Sequence, residues 1–135
     1  MTTTEPSTAA CPPFGLTLPA EFVRARDADT IEWRLPGSAF IWASRLIDVW
    51  APEINAKNPD DRKRAAEGKT FVSKRCALAR SLTVHVPLPD TRQPLKALTF
   101  DRVPSWVWID GVTSLNKVVV QMGFAASMKG GRWGE

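Results

Sequence analysis

The hydrophobic pattern of this chain changes period three times. Ile31, Trp33 and Leu35 alternate with Glu32 and Arg34, the period of two that marks a half-buried strand. Ala65, Val72 and Ala79 then recur every seven residues with Phe71 and Leu78 beside them, one apolar stripe of a helix. Leu82, Val84 and Val86 return to alternation. A chain that goes from strands to a helix, back to strands and on to a short second helix is not a helical bundle.

The stretches between these segments carry turn chemistry. Pro36-Gly37-Ser38 is a turn, and residues 39–49 form a second β-prone run, so a hairpin is expected with a third strand or bend after it. Asn55 to Asp61 reads as a polar loop. A helix is expected from about Asp61 to Arg80, with Asp60 or Asp61 as its N-cap. The charges on that helix read as a solvated face. Residues 87–94 contain three prolines and form a loop, not a central strand. Leu95–Phe100 and Trp106–Ile109 are the next β-prone runs, and Asp110-Gly111 is a turn. Thr113 or Ser114 caps a short helix in which Leu115, Val118, Val119 and Met122 share a face, and Gly123 stops it. Short strands that double back around a helix suggest a small barrel. A five-stranded barrel of the oligonucleotide-binding (OB) type is one solution and a general α+β sheet is the other.

The chain has 135 residues, enough for one domain. We expect residues 1–13 to be a disordered tail, residues 14–128 the domain and residues 129–135 a flexible tail. Lys plus Arg number 18 and Asp plus Glu 14, a net charge of +4 that suits an anionic partner without proving one. No apolar run is long enough to span a bilayer and no signal core precedes the domain, so the expectation is a cytoplasmic, non-membrane monomer; a virus-encoded protein is equally compatible. Cys11 and Cys76 make neither a disulfide framework nor a zinc site. His85 is the one histidine, so Ser-His or Cys-His chemistry has little to rest on.

Five segments stand in a telling order. They are Asp27-Ala28-Asp29-Thr30; Arg45-Leu46-Ile47-Asp48-Val49-Trp50-Ala51-Pro52-Glu53; Ala65-Ala66-Glu67-Gly68; Phe100-Asp101-Arg102 followed by Trp106 to Gly111; and Asn116 to Ala125. Together they resemble the staphylococcal nuclease family, with its DGDT segment, its arginine-led strand ending in D-x-P-E and its closing N-x-x-L-V-x-x-G-x-A helix. The resemblance covers roughly residues 21–126. It implies a mainly β (α+β) fold, a five-stranded OB-fold-type barrel with two to three helices. It implies hydrolysis of the P–O5′ bond of DNA or RNA, usually with calcium.

Carried over position by position, the resemblance makes Arg45 and Arg102 the catalytic arginines, Glu53 the catalytic glutamate and Asp29 a calcium ligand. Guanidiniums grip phosphate oxygens bidentately and stay charged at any working pH. A carboxylate beside them orients or deprotonates the attacking water. The chain also departs from the pattern. Trp50 occupies the position of the second metal aspartate, and an indole has no oxygen ligand. Asp48 lies two residues earlier and on a regular strand would share the face of Trp50, so it is the substitute ligand expected for Ca2+. Ala28 replaces a glycine, Phe100 a tyrosine, and the chain has no tyrosine at all. The alternative is a catalytically weak or inactive module on the same barrel that binds nucleic acid or a protein partner.

Overall fold

Thirteen residues without a clean alternation form the longest strand, β1 (Gly15–Asp27). The structure, a computed structural model, describes residues 15–87 and 102–127. The expected tails, the 95–100 run, Phe100 and Cys11 lie outside these residues. β1 escapes a periodicity reading because its register with β2 (Thr30–Arg34) slips between Phe22 and Arg24 and again between Ala25 and Asp27. Each slip exchanges the two faces, which erases the period of two. Its first half, Gly15 to Ala20, pairs instead with β5 (Leu82–Pro87). One strand thus serves two neighbours and forms a corner of the barrel.

The remaining strands are β3 (Ile41–Leu46), β4 (Val49–Trp50), β6 (Val103–Ile109), β7 (Thr113–Ser114) and β8 (Ala126–Ser127). The main sheet runs β3-β2-β1-β5-β6-β7, and a parallel pairing of β3 with β6 closes it. The result is a closed five-stranded mixed barrel of β1, β2, β3, β5 and β6, with β7 as an extra strand. With two helices among the described residues this is the α+β, OB-fold-type architecture that the sequence left as one of two solutions. β4 and β8 form a separate two-stranded ribbon.

A buried polar relay stitches the closing seam. The Trp33 indole N–H donates to Ser44 Oγ (2.8 Å), Ser44 and Ser105 hydroxyls meet at 2.9 Å, and Ser105 donates to the Val103 carbonyl (2.7 Å). Since Ser105 gives its proton to Val103, Ser44 is the donor between the two serines. The barrel core holds Ile31, Trp33, Leu46, Val84, Val103, Val107 and Ile109, all fully buried.

α1 spans Pro59–Leu78 and starts two residues before the expected position. Its N-cap is Asn58, not Asp60 or Asp61: Asn58 Oδ1 accepts from the Asp60 and Asp61 amides. Pro59 belongs to the helix because a first-turn residue needs no amide donor. The buried face is Ala65, Gly68, Val72 and Cys76. Leu78, placed beside the stripe by the sequence, is 72% exposed, and Ala79 is already the C-cap. Burial pushes the Cys76 thiol up to about 12, so it is an inert core residue at neutral pH. α2 (Leu115–Gln121) is capped by Ser114, whose hydroxyl accepts from the Lys117 amide, and it ends before Gly123 at φ +84°. Among the described residues no helix is long and apolar enough to cross a membrane.

At Gly68, α1 packs closely on Ala28 of the β1–β2 turn. A Cβ there would stand 2.9 Å from Ala28 Cβ and 3.1 Å from Phe124 Cβ. Gly68→Ala gains about 1 kcal/mol of helix propensity. Overpacking against two stiff Cβ atoms costs about 1–3 kcal/mol. We expect a net loss of about 1 kcal/mol in urea denaturation. A stabilised variant would show that the helix has room to move away.

The β3–β4 connection changes the expectation for Asp48. β3 ends at Leu46 and residues 47–48 form a turn, with Asp48 at φ +63°. Asp48 and Trp50 are therefore not on one regular strand face. Asp48 lines a cavity of about 530 Å³ with Trp106, Asn116 and Lys117, while Trp50 lines a different one.

Candidate functional site

Strand register brings the singled-out residues to one end of the barrel. Asp27 pairs with Thr30, Thr30 with Arg45, and Arg45 with Pro104. Paired residues on neighbouring strands point to the same side of a sheet. This row therefore crosses β1, β2, β3 and β6, and Arg102 stands two residues before its last member. Next to the row, Trp50 ends β4, and Glu53 opens a turn closed by the Ala56 amide on its own carbonyl (3.1 Å). Asp61, in the first turn of α1, forms the far wall.

These elements enclose a cleft of about 440 Å³. Arg45, Glu53, Arg102 and Asp29 all line it, together with Asp27 and Trp50. Asp48 does not. Arg102 and Glu53 are exposed, and Asp29 is buried.

Asp29 is engaged by the protein itself. Its Oδ1 accepts from the Thr30 hydroxyl (3.0 Å), and its Oδ2 accepts from the Ala51 amide (3.2 Å) and lies 3.0 Å from Arg45 Nη1. The same Arg45 nitrogen donates to the Val49 carbonyl at 2.7 Å. Asp29 thus ties the β1–β2 turn to the chain leaving β4 and fixes one terminal nitrogen of the Arg45 guanidinium. The arginine's side chain is 27% exposed, so it faces the cleft while held from behind.

Asp27 was not singled out from the sequence, although it opens the same Asp-Ala-Asp-Thr segment. Its carboxyl is held above the ordinary carboxylate value. Burial is the first cause, and the charges of Asp29 and Glu53 add to it, against Lys69 and Arg102. A carboxyl raised in the folded state favours the protonated form there. It adds stability below its ordinary value near 3.9, and that contribution is lost as pH rises through the raised value. At neutral pH the Asp27 carboxyl therefore opposes folding. Asp27→Asn should raise the melting temperature at pH 7, with the difference shrinking as the pH is lowered through the carboxylate range. A variant that melts lower at pH 7 would contradict this account of the cleft's charge.

The donor set differs from the calcium set that the resemblance implies. Calcium takes about six to eight oxygens. Trp50 offers none, Asp29 already accepts three protein donors, and Asp48 lines the other cavity. Asp27, Glu53 and Asp61 remain along the wall. Among the described residues no group of three or more His, Cys, Asp or Glu side chains is placed to hold a metal ion. What the cleft does combine is two guanidiniums, several carboxylate acceptors and one indole.

A scan against protein-family models found no match for the chain, and a search of curated proteins found none either.

Proposed function

We propose that this protein is an OB-fold-type module that binds nucleic acid through the cleft. The observation that carries the reading is the convergence of Arg45, from β3, with Arg102, from the start of β6, on one face of a closed barrel. Two guanidiniums at one cleft match a phosphate by charge and by fork geometry. An OB barrel is a scaffold on which oligonucleotides bind. The five sequence segments in staphylococcal-nuclease order support the same ligand class. The test is fluorescence anisotropy of a labelled single-stranded oligonucleotide at low salt, repeated across a salt series. Binding that weakens with salt is expected. No binding at low salt would sink the proposal.

A second reading is phosphodiester hydrolysis. It is favoured by Glu53, which lines the same cleft as both arginines. In that reading the arginines hold the scissile phosphate, the Glu53 carboxylate takes a proton from the attacking water, and as the water oxygen bonds to phosphorus the P–O5′ bond breaks, its leaving oxygen taking a proton from solvent. Incubation of single-stranded DNA and RNA with the protein, with calcium and with other divalent cations, separates the two readings. Cleavage lost in Glu53→Gln supports hydrolysis. Retained binding without cleavage under any cation leaves the module a binder.

A further inference from the structure

Among the described tryptophans, four spend their rings on one another or on a neighbour: Trp33 against Trp42 (5.3 Å between ring centroids), Trp42 also against Phe40 (6.4 Å), and Trp106 against Trp108 (6.5 Å). Trp50 makes no such ring contact among the described residues. It stands half-buried in the wall of the cleft, among charged side chains. An aromatic ring in that setting is costly as packing and useful as a binding surface.

The backbone beneath it is fixed. Trp50 pairs with Ala126 of β8, and the next amide, Ala51, donates to Asp29. The indole is therefore presented from a held position, which lowers the entropy lost when a flat ligand settles on it. The cleft volume lies within the range of about 300–1,000 Å³ found for small-ligand sites. Its polar groups are of two kinds. Arg45 and Arg102 donate, and Asp27, Glu53 and Asp61 accept. The first kind suits a phosphate, and the second suits exocyclic amines of a base.

We propose that Trp50 is a stacking platform for an unpaired nucleobase, so that the cleft takes one nucleotide of a single strand, with its base on the indole and its phosphate on the arginines. The proposal rests on the nucleic-acid reading above and names which part of the ligand the indole holds. A base inside a duplex has both faces covered by its neighbours, so duplex cannot use this platform without extruding the base. The cleft is selective for single strands for that reason, whatever the phosphate contacts supply.

The probe is a 12-residue oligodeoxycytidylate carrying a fluorescent label, since cytosine offers an amine to the carboxylates. It is compared with a strand of equal length and charge in which the bases are removed. Trp50→Leu keeps apolar bulk without a ring, and Trp50→Phe restores a ring. The wild type is expected to bind the cytosine strand about tenfold more tightly than Trp50→Leu does, with Trp50→Phe recovering most of the difference. The abasic strand should bind wild type and Trp50→Leu equally. Duplex of the same length should compete poorly. Equal binding of the cytosine strand by wild type and Trp50→Leu, or an abasic strand bound as tightly as the intact one, overturns the stacking role and leaves nucleic-acid binding standing. Failure of the wild type to bind the cytosine strand overturns both.

Discussion

Replacing Asn116 by Ala is expected to cost about 3 kcal/mol of stability, the largest single loss we foresee in the barrel. Asn116 is buried at the start of α2 and joins three parts of the chain. Its Oδ1 accepts from the Val107 amide (2.9 Å), and its Nδ2 donates to the carbonyls of Ile47 (2.9 Å) and Ser105 (3.1 Å). Ser105 keeps a second donor in the variant, because the Ile47 amide also reaches its carbonyl at 3.0 Å. Val107 N–H and Ile47 C=O lose the partner that Asn116 gives them. A buried backbone group left unpaired costs about 1–3 kcal/mol, and the part-buried Ile47 carbonyl adds less than the buried Val107 amide, so together they give roughly the figure above. For a domain of this size that is a melting-temperature drop of about 10 °C or more. Asn116→Asp separates hydrogen bonding from shape. It keeps the acceptor for Val107 but sets a carboxylate against two carbonyl oxygens. It should melt low at neutral pH and recover partly in acid, where the protonated form again has a donor. A loss under 1 kcal/mol in Asn116→Ala would mean that water or a local shift replaces the amide.

The helix that carries Asn116 was visible in the sequence because its signals are local. A Ser cap, an i, i+3, i+4 pattern and a terminal glycine all fall within ten residues, and the structure puts the element there. The buried face is narrower than expected: Leu115, Asn116 and Val119 turn inward, and Met122 is exposed. β2 and β5 were legible for the same local reason. β1 was not, because its two register slips scramble the alternation and its halves answer to different partners. Barrel closure was also beyond periodicity. It depends on a parallel β3–β6 pairing between segments far apart in the chain, held by a Trp33–Ser44–Ser105 relay in which the serines look like surface residues.

The cleft shows the same division. Arg45, Glu53, Arg102 and Asp29 were singled out on motif order, and all four line one cleft. Asp48 was singled out by assuming an unbroken strand, and one left-handed residue in the turn removed it. A positive φ at a non-glycine residue has no strong sequence signal, although Asp tolerates it better than most. Asp27 was overlooked because a carboxylate pair ahead of a strand reads as turn chemistry. Only the fold shows that Glu53 and Asp29 surround it.

The double variant Arg45→Gln with Arg102→Gln should lower affinity for a single-stranded oligonucleotide by about 100-fold. A hydrogen bond to a charged group contributes about 1.5–3 kcal/mol, or roughly tenfold to a hundredfold for each arginine. The two losses are not expected to be equal. Arg45 is held by Asp29 and by the Val49 carbonyl, so little side-chain freedom remains to be lost on binding. Arg102 is exposed at the head of β6 and must be ordered by the ligand, which offsets part of its gain. Arg45→Gln should therefore be the weaker binder of the two single variants. The salt series adds an independent count. Each phosphate neutralised on a single strand contributes about 0.7 to the slope of log affinity against log salt. If both arginines grip one phosphate, as their shared cleft suggests, the double variant loses a slope of about 0.7. If they hold two successive phosphates it loses about 1.4. Unchanged affinity and slope in the double variant, with circular dichroism showing a folded barrel, would place the nucleic acid elsewhere on the protein and remove the cleft from its function.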